Sequence, residues 1–279
     1  MENIISQRDA LDLVHNSAVT FIDGSWYLPA QNRNAKAEYD ASRIPGAVFF
    51  DIDKISDQDT DLPHMLPSPD TFGSTMSEMG VSSEELNIVY DGPGLFSAPR
   101  VWWTLKIMGA KNVKILEGGF DAWRTEGLPI EQGLPASHPS KSFIADFQPG
   151  KVAAIEDVQL NMESKRATVI DARPSDRFAG TGTEPRAGLR NGHIPGSKSA
   201  PANKFVQNGK LADHQTLERY FRDLNIDKNT EVITTCGSGV TAAILALALT
   251  ETGRENYSLY DGSWAEWGKP NGPPIETNG

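Results

Sequence analysis

The chain repeats itself once, and that duplication limits what it can fold into more than any other feature of its sequence. VTFIDGSW closes a short β-branched and aromatic run at Asp23, and TVIDARPSD does the same at Asp171, 148 residues later. RIPGAVFFDI (43–52) answers to HIPGSKSAPA (193–202), NIVYDGPGLFSAPRVWW to EVITTCGSGVTAAILAL, and LEGGFDAW to LYDGSWAEW. The third pair sets Asp91 opposite Cys236, 145 residues apart. Four ordered matches at nearly constant offset predict two copies of one domain, residues 1–134 and 153–279. The intervening GLPASHPSKSFIADFQPGK is rich in Pro, Ser and Lys and lacks periodicity, so 135–152 reads as the linker. A chain of 279 residues is long enough to bury two cores.

Within each copy, short runs such as NIVYD and EVITT are almost continuously apolar or β-branched, and they alternate with helical stretches such as VTAAILALALTETG, which ends at Gly253. Buried strands alternating with helices predict an α/β fold: two tandem domains, each a parallel sheet with helices on both faces. Ligands of such sheets bind beyond the carboxyl ends of the strands. Cys236 stands at such an end.

EVITT, CGSGVT and AAILALAL read as strand, tight loop and helix. Gly237 and Gly239 permit backbone angles closed to other residues and let several N–H groups turn inward. The following helix adds its partial positive N-terminus to the same point. A cysteine there is favoured as thiolate and is a nucleophile, whereas a lone cysteine elsewhere is more often a small buried apolar residue. Cysteine phosphatases close such a loop with an arginine six residues after the cysteine, to fork onto a tetrahedral phosphate. Here that position is Ala242, and no Lys or Arg occurs between Cys236 and Arg254. The loop suits one anionic sulfur better than a phosphate dianion.

Charge narrows the partners. Asp and Glu number 37 against 26 Lys and Arg, a net −11, so the general field repels nucleic acid and anionic membrane surfaces. An anionic substrate must therefore be gripped by a local group of arginines. No apolar run reaches the ~18 residues that a bilayer span needs. MENIISQRDALDLVH carries no basic region followed by an apolar stretch, so a signal peptide is not expected and the cytoplasm is the expected compartment. One cysteine excludes an internal disulfide and a Cys-rich metal site. Gly180-Thr181-Gly182 does not follow the strand–turn–helix rule of a nucleotide site, and no His and carboxylate cluster has metal-ligand spacing.

CGSGVTA, the duplicated IPG and the closing DGSW-type segments together resemble the tandem-domain sulfurtransferases of the rhodanese family, over essentially the whole chain. Gly-Ser after the cysteine, in place of two basic residues, resembles the branch that uses 3-mercaptopyruvate and not thiosulfate as sulfur donor. The resemblance implies that Cys236 takes sulfur from 3-mercaptopyruvate, releases pyruvate and passes the persulfide sulfur to thioredoxin, another small thiol, or cyanide in vitro. No cofactor beyond the covalent persulfide is expected. A thiosulfate-preferring enzyme and a persulfide carrier without turnover are the alternatives.

The chemistry also needs a clamp for the substrate carboxylate and a donor for the developing enolate. DRFAGTGTEPRAG, read as a Gly-rich loop, supplies Arg177 and Arg186, suited by pattern alone either to a carboxylate fork or to solvent. The resemblance assigns them to substrate binding, together with the loop residues Gly237, Gly239, Val240 and Thr241. Asp53 and His64 in FFDIDKISDQDTDLPHMLP are by pattern a turn aspartate and a loop histidine. The resemblance implies a Ser238–His64–Asp53 relay across the domain interface. Asp91 cannot accept a transferable sulfur, so the first copy is expected to carry no second active site. His193, where the first copy has Arg43, is read as structural, and Trp102-Trp103 and the Trp264/Trp267 pair as core.

Overall fold

The computed structural model describes residues 1–278, which divide into two units. The first comprises residues 1–58, 66–148 and 208–210; the second comprises 59–65, 149–207 and Leu211 onward. His64 therefore belongs to the second unit, although its sequence lies in the first copy.

In the first unit, strands β1 (Ile4–Ile5), β2 (Val19–Asp23), β3 (Val48–Phe49), β4 (Leu86–Tyr90) and β5 (Asn112–Leu116) form one sheet in the order β1-β5-β4-β2-β3. The second holds β6 (Val152–Ala153), β7 (Ala167–Asp171), β8 (Lys198–Ser199), β11 (Glu231–Thr235) and β12 (Tyr257–Tyr260) in the order β6-β12-β11-β7-β8. A short two-stranded piece, β9 (Val206–Gln207) with β10 (Lys210–Leu211), precedes β11. Every pairing in the two large sheets is parallel. The two orders are the same when one copy is laid on the other.

Consecutive strand residues point to opposite faces, so a strand buried at neighbouring positions is covered on both. Phe21 and Ile22 of β2, and Ile88, Val89 and Tyr90 of β4, are all buried. So are Val232 and Ile233 of β11. The helix Ala242–Glu251 buries all eight residues from Ala242 to Leu249, and as a helix apolar all round it can only be internal. It ends where Gly253 takes the left-handed conformation at φ +68°. Trp102 and Trp103 lie in the buried helix Ala98–Ile107, and Trp264 and Trp267 in the helix Ser263–Trp267. The indole N–H groups of Trp123 and Trp267 close matched turns by donating to the Pro129 and Pro274 carbonyls (2.7 and 2.9 Å).

Arg43 and His193 hold equivalent places. Each residue's backbone pairs with a returning segment, Arg43 with Glu131 and His193 with Glu276. The buried Arg43 guanidinium binds the Glu131 carboxylate, while the His193 ring stacks on Phe178 at 3.9 Å between centroids. The segment between the copies is less detached than its composition suggests. Phe143 is buried against Phe72, and Lys141 Nζ reaches the Glu85 carboxylate (2.6 Å). Strand β6 begins already at Val152.

The copies differ at the aspartate that ends their second-from-centre strand. Asp171 is paired with Arg173, whereas Asp23 has no guanidinium and is met by neutral donors, the Ser25 backbone N–H on its Oδ1 (2.9 Å) and the side chains of Ser25 and Tyr90. Burial pushes the Asp23 carboxyl up to about 7, and the nearby Asp91 adds to the rise, against the opposing hydrogen bonds from Ser25. Between about pH 4 and pH 7 the folded chain thus keeps a proton that the unfolded chain releases. That contribution to stability is complete at the acid end and is lost as pH rises through about 7. Asp23→Asn, which mimics the protonated form, is expected to raise Tm at pH 8 by several degrees and to leave it nearly unchanged at about pH 3.5, where both states of the natural chain hold the proton, as followed by thermal unfolding at both values.

Candidate active site

β4 and β11 are the central strands of their sheets, and each runs into a loop of the same shape. In the first unit that loop is folded around a carboxylate. Asp91 accepts backbone N–H groups from Gly94 (2.6 Å), Phe96 (2.8 Å), Ser97 (2.7 Å) and Ala98 (2.8 Å). Burial raises the Asp91 carboxyl above its ordinary range, and the four N–H groups pull it back down. The strand-end loop is therefore an anion cradle, demonstrated by the chain's own side chain. The matched positions around Cys236 are Gly239, Thr241, Ala242 and Ala243. Gly94 and Gly239 share the left-handed conformation (φ +81° and +76°) that turns the cradle inward.

Cys236 follows β11 directly and is buried. Its carbonyl accepts the Trp264 N–H (3.0 Å) and the Gly237 carbonyl that of Ala265 (2.9 Å). Val240 is buried beneath the loop, and Thr241 leads into the helix Ala242–Glu251. Both predicted arginines come to this loop. A Cβ added to Gly237 would lie 3.3 Å from Arg177 Nη2 and 3.8 Å from Arg186 Nη1. Glycine at 237 thus lets two guanidinium groups approach the backbone beside the cysteine, and the cations absent from the loop's sequence arrive from another segment. Arg186 Nη2 donates to Ser238 Oγ (3.2 Å). His64 Nδ1 lies 3.0 Å from that hydroxyl and 3.3 Å from the Ser238 carbonyl oxygen. The ring accepts from Ser238 Oγ–H when Nδ1 is bare and donates to Ser238 when it is protonated, so the pair is placed to exchange a proton. His64 is buried and has φ +64°, a costly conformation for a side-chain-bearing residue.

Cys236, Ser238, His64, Arg177, Arg186 and the loop glycines are thus assembled in the second unit. Asp53 belongs to the first unit, where Trp26 Nε1 donates to its Oδ2 (3.2 Å). The segment expected to be an irregular loop around Arg177 is in part a short helix, Ser175–Ala179, which Gly180 ends at φ +84°. Phe178 buries one side of that helix. Among the described residues, no three His, Cys, Asp or Glu side chains gather as a metal site.

Sequence reasoning missed Ser263. Its Oγ accepts the N–H groups of Cys236 (3.3 Å) and Gly239 (3.1 Å) and donates to the Tyr260 carbonyl (2.8 Å), pinning the loop at two points. It does so at φ +49°, where the matched residue of the first copy is Gly119 at φ +61°. Serine in a place built for glycine was the available signal. Glu184, which holds Arg177, was missed as well.

A duplicated α/β chain with a single cysteine in one of its two anion cradles is a narrow class of protein. The chain belongs to the rhodanese family: the Rhodanese-like domain matches residues 6–126 and again 154–270. It is 42% identical over 264 residues to the 3-mercaptopyruvate sulfurtransferase of Escherichia coli (strain K12), covering 94% of each chain. The rat 3-mercaptopyruvate sulfurtransferase is 41% identical over 249 residues, 88% of this chain and 84% of that one. The crystal structure of SseA from Escherichia coli, a 3-mercaptopyruvate sulfotransferase, superposes with a TM-score of 0.87 at 39% identity, over 95% of this chain and 99% of the other. Tum1 protein from Saccharomyces cerevisiae superposes at 0.90 with 33% identity, over 99% and 98% of the two chains.

Removing the Ser263 hydroxyl leaves two buried N–H groups without their acceptor, at about 1–3 kcal/mol each. Ser263→Ala and Ser263→Gly are both expected to lower sulfur-transfer kcat/KM about tenfold. Thermal unfolding is expected to show Ser263→Gly the more stable of the two, because glycine tolerates the left-handed backbone.

Proposed function

We propose that the chain transfers sulfur from 3-mercaptopyruvate to an external thiol through a persulfide on Cys236. The observation that carries this reading is the convergence on one loop of a cradled cysteine, two arginines and a hydroxyl bonded to a histidine. Relatives named for the same activity, alike over nearly the whole chain, support it.

Arg177 and Arg186 take the donor's carboxylate, each such charge-assisted contact contributing about 1.5–3 kcal/mol. The Cys236 thiolate attacks the donor sulfur. A new S–S bond forms as the C–S bond breaks, and its electron pair passes to carbon as the enolate of pyruvate. Ser238, hydrogen-bonded to His64, stabilises the enolate oxygen and relays the proton that completes pyruvate. The outer sulfur stays on Cys236 as an anion held by the backbone N–H groups of Gly237, Val240 and Thr241, while Gly239 shapes the loop and gives its N–H to Ser263 Oγ. An acceptor thiolate then attacks that sulfur and breaks the Cys236 S–S bond, returning the cysteine as thiolate. The chain has one cysteine, so no internal thiol resolves the persulfide. Thioredoxin or a small thiol fills that role, and cyanide does so in vitro. A cysteine that must stay reduced between turnovers fits the cytoplasm. Among the described residues, no helix is long and apolar enough to cross a membrane.

The test is kcat/KM for 3-mercaptopyruvate and for thiosulfate, side by side, with Cys236→Ser as the blank. A preference for 3-mercaptopyruvate of at least about a hundredfold is expected, since the two arginines beside the loop are used on the donor's carboxylate and the loop's own sequence carries no further cation for a dianion. A preference for thiosulfate would overturn the donor assignment, and activity surviving in Cys236→Ser would overturn the mechanism. Steady-state kinetics of two further variants separate the roles. Arg186→Ala is expected chiefly to raise KM about tenfold or more, and His64→Ala chiefly to lower kcat by about 10²-fold.

A further inference from the structure

We infer that Glu184 is the positioning residue of the substrate clamp: it holds Arg177 so that one edge of the guanidinium stays turned to the cysteine loop. This inference rests on the reading of Arg177 as a carboxylate-binding residue.

A guanidinium offers two edges for a bidentate partner, Nε with Nη2 and Nη1 with Nη2. Glu184 occupies the first, accepting Arg177 Nε on Oε1 (3.3 Å) and Nη2 on Oε2 (2.7 Å). The second edge faces the loop, with Nη2 3.3 Å and Nη1 4.0 Å from the place of a Gly237 Cβ. An arginine with a solvated side chain would sample many rotamers. This one is fixed by a carboxylate whose side chain is only 4% exposed.

Glu184 is itself held. Arg173 Nη1 donates to the same Oε1 (2.9 Å), and Arg173 is anchored on every other side. Its Nε and Nη2 donate to the Asp171 carboxylate (2.9 and 2.7 Å), Nη2 also to the Gly192 carbonyl (2.8 Å), and its guanidinium lies 4.1 Å from the Trp264 ring centroid. Asp171 ends β7, paired in register with Thr235, the residue before Cys236. The row Asp171–Arg173–Glu184–Arg177 therefore begins on the strand beside the cysteine's strand and returns to the cysteine's loop. It fixes the clamp relative to the nucleophile without crossing solvent. The first copy, with Ser25 in place of Arg173, has no counterpart of this row.

The experiment is a double-mutant cycle on 3-mercaptopyruvate turnover, with Glu184→Gln, Arg177→Ala and the pair together. Glu184→Gln is expected to raise KM about tenfold with kcat within about threefold, and to add nothing once Arg177 is alanine. Discharge of a preloaded Cys236 persulfide to a thiol is expected to proceed at the unmodified rate, because that step carries no substrate carboxylate. Should Arg177→Ala leave KM unchanged, the clamp reading itself fails. If Arg177→Ala raises KM and Glu184→Gln does not, or if the two effects multiply, Glu184 does not act through Arg177 and this inference is overturned. Glu184→Asp keeps the charge with a shorter reach; an intermediate KM is expected from it. It also serves as the single variant should Glu184→Gln not fold, and an unchanged KM in Glu184→Asp would then overturn the proposal.

Discussion

The interaction on which the rest of this structure depends is the gathering of backbone N–H groups at the end of each central strand. A parallel strand that runs into a tight loop and then a helix leaves several donors pointing at one spot, and burial leaves them no water to bind. Something anionic has to sit there. In the first copy the chain supplies it permanently, as the Asp91 carboxylate with four donors on it. In the second the same place is taken by Cys236. The fold is thus the same twice, and the group at the centre of the loop differs, a carboxylate in one copy and a thiol in the other.

Divergence of the two copies follows from that difference. Where the first copy has Ser25, Asp91 and Gly119, the second has Arg173, Cys236 and Ser263. Two of these changes add a charge or a hydroxyl at or behind the loop, and both are costly: a fully buried guanidinium and a serine in the left-handed region. Such costs are tolerated where they organise a site. The first copy carries a different burden, a buried Asp23 without a cation, whose carboxyl is raised to about 7.

Much of the fold could be read from the chain. The repeated strand ends, the IPG turns and the closing tryptophan segments place the two sheets, because each matched stretch has to satisfy the same backbone geometry. The strand–loop–helix around Cys236 was equally legible, since β-branched residues, paired glycines and an alanine–leucine helix leave few alternatives. Less of the site was. Arg177 and Arg186 stand out as candidates, but the short helix that carries Arg177, closed by Gly180, does not, because five residues carry too little periodicity. Glu184 and Ser263 look like ordinary polar residues until burial and partners are known.

The sequence by itself determined which residue can be the nucleophile, that only one copy can carry it, and that no loop cation accompanies it. These are matters of residue type and local order, which no packing can alter. Only the tertiary structure decided that two arginines from a segment far upstream come beside Gly237, in reach of where a Cβ would stand, that Ser238 is shared by Arg186 and His64, and that His64 groups with the second unit. Those facts depend on which buried faces meet. Position along the chain carries no information about them, because parallel strands joined by long crossovers bring distant segments to one edge.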